Sequence, residues 1–212
     1  MREIDRRARE RFGIPEGVLM EHAGTAAARA AHRLCGLRKR KAVVLSGAGA
    51  NGGDGFVAAR HLSNWGMSVR VVLLAEEAKV RGAAQVNLEI LRRLRVPVSA
   101  APSTASWRRS TGKIRNAGVI LDAMLGTGVE GSVREPIASA IRWVNRQNCP
   151  VVAMDIPSGL SADTGRPCGD AVQATVTVTC GLPKIGLAKG QGRKLSGRVT
   201  VADISLPRVL LR

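Results

Sequence analysis

Three Gly-rich segments, each directly behind a short apolar run, constrain the fold of this 212-residue chain more than any other feature. They read SGAGANGGDG (46–55), DAMLGTGVEGS (122–132) and DIPSGLSADTG (155–165). Each sets Asp or Asn among glycines where a parallel strand would end. In an open α/β sheet, loops at the carboxyl ends of the strands gather along one edge and build the ligand crevice. Three such loops bearing oxygen donors predict a polar site for a phosphate-bearing small molecule.

The hydrophobic pattern around the loops alternates between the two periods. Residues 2–12 and 18–34 read as helices, the first amphipathic and charged, the second rich in Ala, with Ile14-Pro15 between them. Strands are expected at 42–45, 68–74, 96–99, 119–121, 151–154, 175–180 and 198–202, with helices at 55–65, 83–94 and 136–145. Residues 101–115 carry no clear period. Alternating strand and helix indicates a mostly parallel sheet covered on both faces. The last two strands, with no legible helix between them, are expected to run antiparallel at an edge. A chain of this length, with no linker, repeat or low-complexity tract, reads as one domain over 1–212.

Composition narrows the function. Aromatic residues make up 2% of the chain, so no platform for stacking single-stranded bases is legible, which disfavours a nucleic-acid partner. Cys35, Cys149, Cys168 and Cys180 form no C-x-x-C pair, which argues against zinc and fits a reducing compartment, hence the cytoplasm. The opening MREIDRRARERFG is too charged for a signal peptide, and no apolar run reaches spanning length, so no membrane is expected. The net charge of +17 comes from scattered basic residues, with clusters at 6–11, 38–41, 92–95 and 184–194. It fits a solvated basic surface, or attraction to polyanions such as nucleotide phosphates.

The first segment contains Gly47-x-Gly49-x-x-Gly52 between a strand and a helix, the dinucleotide pattern, in which a helix N-terminus meets phosphate. Glu76 and Glu77 near the end of the next strand would then meet a ribose hydroxyl, as in a nicotinamide-dependent dehydrogenase. Asp54 counts against that reading, because a carboxylate at the helix start repels pyrophosphate. Asp54 either caps the helix or bonds a ligand hydroxyl or amide. Asn51 is either a turn residue or a carbonyl donor to a ligand or cation. Asp122 and Asp155 both stand at strand ends, and Ser158 follows Asp155 through a stiff Pro157 turn. Two carboxylates in one crevice can divide acid and base roles, or join Asn51 and Ser158 around a hard cation. Gly126-Thr127-Gly128 and Gly131-Ser132 supply backbone N–H groups for phosphate. No Ser/His/Asp triad and no P-loop ending are present, and His22, His32 and His61 read as surface or packing residues.

Taken in order, IDRRARERFGIPEGVLMEHAG, NGGDGFVAARHL, LDAMLGTGVEGSVREPI, VVAMDIPSGLSADTG, TVTVTCGLPKIGL and GRVTVADISLP resemble the NAD(P)H-hydrate epimerase family, also called the YjeF N-terminal domain family, nearly end to end. The resemblance implies a Rossmann-like three-layer α/β/α fold. It implies interconversion of the R and S forms of NADHX and NADPHX, hydrated at C6 of the nicotinamide ring, so that a separate S-specific dehydratase can restore NAD(P)H. It places one K+ per subunit on Asn51, Asp122 and Ser158. It places substrate on Ala50, Asn51, Gly52, Gly53 and Asp54, on Gly126, Thr127, Gly128, Val129, Glu130, Gly131 and Ser132, and on Asp155, the expected acid/base residue. It also implies a homodimer through the N-terminal helices, and Lys184 is a further candidate contact. Three positions depart from the family pattern: Ala50 and His22 replace Asn, and Thr175 replaces Asp. A non-catalytic nucleotide- or RNA-binding scaffold of the same fold is the competing reading.

Overall fold

The computed structural model describes residues 1–36, 40–114, 116–129 and 131–211. Glu130 and part of the basic cluster at 38–41 therefore lie outside the described residues. The chain opens with α1 (Arg2–Phe12) and α2 (Glu16–Cys35). Gly13 stops α1 in the left-handed conformation (φ 66°), and Pro15 stands before the first residue of α2. The alternating part follows: β1 (Lys41–Ser46), α3 (Ala50–Asn64), β2 (Ser68–Leu73), α4 (Gly82–Arg93), β3 (Val98–Ala100), α5 (Thr104–Thr111), β4 (Val119–Ala123), α6 (Ile137–Val144) and β5 (Val151–Met154). The chain closes with β6 (Val176–Cys180), two one-turn helices α7 (Ile185–Ala188) and α8 (Gly192–Leu195), and β7 (Arg198–Ala202).

Among the described residues, seven strands form one sheet in the order β3-β2-β1-β4-β5-β6-β7, and every pairing is parallel. The expected antiparallel edge is thus corrected: β6 and β7 pair in parallel from Val176↔Arg198 to Cys180↔Ala202. The crossover they need is supplied by α7 and α8, which are too short to show a helical period in sequence. The segment 101–115 contains α5, whose start Ser103 caps, its hydroxyl accepting from the Ser106 N–H at 3.3 Å. Trp107 of α5 is buried edge-on against Trp143 of α6.

Both faces of the sheet are covered. The central strands β1 and β4 are therefore almost wholly buried, as parallel strands between two helical layers must be. Val44, Val71 and Leu121 pack under α2, α3 and α4, and Leu45, Val72 and Ile120 pack under α5 and α6. The small residues of α2 let it lie tightly on α3: a Cβ on Gly24 would come within 2.4 Å of the Val57 Cβ. The strand order reverses between β1 and β4, so the segments leaving these strands diverge and open a crevice at the carboxyl edge.

Candidate functional site

A cavity of about 550 Å³ fills that crevice. Its walls come from the segments after β1, β4 and β5, from α1 and α2, and from Lys184. Gly47 is required here, since a Cβ would meet the Met124 carbonyl at 2.1 Å where the chains leaving β1 and β4 pass each other.

The expected loop 46–55 is largely helix. α3 begins at Ala50, so Asn51 to Asp54 occupy its first turns, with backbone N–H groups turned toward the crevice as at any helix start. Asp54 makes no cap. It lies one turn inside α3 and lines the cavity. Burial, then the charges of Asp155, Asp5 and Glu16, push its carboxyl well above the usual range, against the pull of Lys184. Ala50, Asn51, Gly52, Gly126, Thr127, Gly128 and Val129 also face the cavity. Gly53 packs instead toward Met20 and Ala84. Gly131 and Ser132 are exposed and stand outside the cavity wall. Glu76 and Glu77 do not line it: Glu76 reaches Lys79, and Glu77 pairs with Arg92.

Two of the carboxylates follow different paths. Asp122 lies within β4 rather than after it and is completely buried. Its Oδ2 accepts from the Ser158 N–H at 2.8 Å, and its Oδ1 accepts from the Ser158 hydroxyl and from the Met124 N–H at 3.3 Å. Burial raises its carboxyl to about 6, opposed by these bonds. Leu125 ties the cluster together. Its N–H donates to Ser158 Oγ at 2.9 Å, and its carbonyl accepts from Asn51 Nδ2, also at 2.9 Å. That orientation leaves Asn51 Oδ1 buried with no hydrogen-bond partner. An orphaned buried carbonyl costs about 1–3 kcal/mol, and Leu125 links this residue to Ser158 and through it to the buried Asp122 carboxylate. A donor set of carbonyl, carboxylate and hydroxyl oxygens suits a hard cation, and carbonyl oxygens are what replace the hydration shell of K+. No three His, Cys, Asp or Glu side chains gather in a metal cluster among the described residues.

Asp155 follows the last residue of β5. Its backbone is left-handed (φ 62°), and the Ile156 N–H donates to the Met154 carbonyl at 2.7 Å, closing a tight turn about it. Left-handed backbone is uncommon outside Gly, and Asp is among the residues that tolerate it. The turn puts the side chain on the cavity wall. Its Oδ1 accepts from the Cys180 N–H at 3.0 Å, the Thr179 hydroxyl at 3.3 Å and Lys184 Nζ. Lys184 also donates to the Cys180 carbonyl at 2.9 Å and is itself buried. One oxygen is thus held by three donors, while Oδ2 has no protein partner among the described residues. Lys184, a secondary candidate in the sequence, is the most intimate partner of Asp155. Asp5 and Glu16 also line the cavity, with no sequence signal to single them out beyond their charge.

The sequence profile of the YjeF-related protein N-terminus family matches residues 16–186. The chain belongs to this family. At 40% identity over 213 residues it is similar to the bifunctional NAD(P)H-hydrate repair enzyme Nnr of Moorella thermoacetica, aligning over 100% of this chain and 40% of that one. It is 37% identical over 203 residues to the NAD(P)H-hydrate epimerase of Limosilactobacillus fermentum, which covers 96% of this chain and 93% of the relative. The chain therefore spans about 40% of the length of the bifunctional relatives and nearly all of the single-activity one. The crystal structure of yeast YNL200c superposes with a TM-score of 0.78 and 27% identity, over 94% of this chain and 83% of that one. The α/β fold expected from the sequence is thus present, with a sheet that is wholly rather than mostly parallel among the described residues. No helix among the described residues is long and apolar enough to cross a membrane.

Proposed function

We propose that this chain interconverts the R and S epimers of NADHX and NADPHX, in the cytoplasm, and so supplies the S epimer to a dehydratase. The observation that carries the proposal is the Asp155 carboxylate. It is set on the wall of a dinucleotide-sized cavity by a left-handed turn and is anchored through one oxygen only. The names of similar proteins, a bifunctional NAD(P)H-hydrate repair enzyme and an NAD(P)H-hydrate epimerase, support the same reaction.

The chemistry needs one group that both gives and takes a proton. C6 of the hydrate carries a hydroxyl and the ring nitrogen. Inverting it requires that the C–O or the C–N bond break and re-form on the other face. Loss of the hydroxyl as water requires a proton on oxygen, and ring opening moves the hydroxyl proton to the leaving nitrogen as C=O forms. A positioned carboxyl can do either and is regenerated on return. Oδ2 of Asp155 is free for that transfer. Oδ1, held by Lys184 and the Cys180 N–H, fixes the geometry. The N–H groups at the start of α3 and along Gly126–Gly128 provide for the pyrophosphate.

Asn51, Asp122 and Ser158 would hold one K+ per subunit. When bound, the ion would supply positive charge near the phosphates and satisfy Asn51 Oδ1. The chain would work as a homodimer, with the N-terminal helices as the contact. No hydride moves in this reaction, which separates it from a dehydrogenase. The test is chiral separation of R- and S-NADHX after adding the protein to one purified epimer. The proposal expects a mixture to form with no change in absorbance due to oxidation. A well-folded protein that leaves the epimer unchanged, yet shifts RNA in a salt-dependent way, would instead establish the scaffold reading.

A further inference from the structure

α1 is absorbed neither by the three loops nor by the chemistry above, yet it forms one wall of the cavity. Met1, Asp5 and Arg9 face it, at the i, i+4, i+8 spacing that aligns side chains along one helix face. The helix is anchored by Ala8, fully buried, and by Ile4 packed against the core. Its cavity stripe is therefore held in place and does not merely drift over the opening.

Two features of that stripe lack a protein partner. The first is Asp5 Oδ1, a buried oxygen with no hydrogen bond. Burial raises the Asp5 carboxyl, with Asp155 and Glu16 adding to the rise and the N-terminal amine and Lys184 opposing it. The second is Arg9. Among the described residues, three cationic side chains line the cavity: Arg6, Arg9 and Lys184. Arg6 is bound by Glu3 and Glu10, and Lys184 by Asp155. Arg9 alone among them has no acidic partner among the described residues. The same cavity is lined by the acids Asp5, Glu16, Asp54 and Asp155, so an unpaired cation is the group it can offer a pyrophosphate.

We infer that α1 is a substrate-recognition element: Arg9 binds a phosphate of the dinucleotide, and Asp5, one turn away, bonds a hydroxyl or amide of the same ligand through the oxygen that no protein group reaches. The inference rests on the dinucleotide-hydrate reading above. Arg suits the task because its guanidinium meets phosphate with two parallel bonds.

The experiment uses the whole chain, with wild type, Arg9→Ala, Asp5→Ala and Asp5→Asn, each first shown by circular dichroism to melt cooperatively. Epimerisation is followed on NADHX and NADPHX, and ADP-ribose binding is measured by calorimetry as a readout that needs no turnover. Arg9→Ala is expected to raise KM about tenfold with kcat nearly unchanged, the signature of lost uniform binding. It is also expected to weaken ADP-ribose binding and flatten the salt dependence. A rise for both substrates assigns the pyrophosphate, and a rise for NADPHX alone assigns the 2′-phosphate. Asp5→Ala is expected to raise KM by roughly fivefold, with Asn partly restoring it because it keeps an acceptor oxygen. Unchanged KM for both substrates and unchanged ADP-ribose binding in Arg9→Ala would overturn the inference. Arg9-dependent ADP-ribose binding by a wild type that does not epimerise would sink the reaction and leave the role of α1 standing.

Discussion

Asp122 and Asp155 look alike in sequence, each an acid behind three or four apolar residues and ahead of a Gly-containing turn. In the fold they are opposites. β4 runs on through Ala123, so Asp122 stays in the ladder, completely buried, and both of its oxygens are taken by Ser158 and Met124. β5 stops at Met154, and Asp155 turns left-handed onto the cavity wall with one oxygen held and one free. A difference of two strand residues separates an acid that fastens two loops together from the one proposed to exchange protons. What fixes each role is whether the ladder continues past the carboxylate, and neither the residue type nor its neighbours in sequence decides that.

The contrast is broken most forcefully at Asp155. Asp155→Asn tolerates the left-handed backbone and keeps an acceptor for the Cys180 N–H, so the fold should survive. The epimerisation rate should still fall about 10³-fold, within the usual range for general acid–base catalysis. Chiral separation of product against time measures it. Asp122→Ala should act on the fold instead. It strands the buried Ser158 N–H, a cost of about 2–3 kcal/mol, hence a Tm lower by roughly 5–10 °C, read by thermal denaturation.

Both acids were legible as site candidates, and so was most of the sheet. Strands 151–154 and 198–202 and helix 2–12 have the bounds expected from sequence, because an uninterrupted apolar run or a strong charged face leaves little choice of period. What escaped reading was set by contacts between distant segments. The parallel β7 depends on α7 and α8, one turn each, where a Cβ on Gly192 would meet the Gly186 carbonyl at 1.8 Å. The early start of α3 escaped because glycines suggest a loop. Here they are needed for closeness, since a Cβ on Gly52 would lie 1.9 Å from the Gly47 carbonyl. The Asp155–Lys184 pair joins positions 29 residues apart, and no local pattern reports it. For α5, the Ser103-x-x-Ser106 start was the available signal.

Smaller effects sharpen the comparison. Exchanging K+ for choline should lower the Tm of wild type, by an amount equivalent to about 2.7 kcal/mol if the ion had been present at a hundred times its Kd. Asn51→Ala, which removes the orphaned oxygen, should abolish the difference between the two salts. Asp54→Asn should have the mildest effect. The folded Asp54 binds its proton more tightly than the unfolded chain does. Its contribution is therefore fully present below the unfolded value near 3.8 and is lost as pH rises through the higher folded value. Asp54→Asn should remove that loss, so its Tm relative to wild type should rise as the pH is raised above the unfolded value, read by thermal denaturation.

The most direct test sets Asp155→Asn beside Asp122→Asn, each with a single NADHX epimer in K+ and in choline, reading the R:S ratio against time and the Tm in each salt. The account predicts that Asp155→Asn equilibrates the epimers about 10³-fold more slowly than wild type in either salt while keeping its melting response to K+. It predicts that Asp122→Asn loses that response yet still turns over at least about tenfold faster than Asp155→Asn, as expected when acid–base catalysis by Asp155 is intact. Wild-type turnover by Asp155→Asn would contradict the division of labour between the two acids.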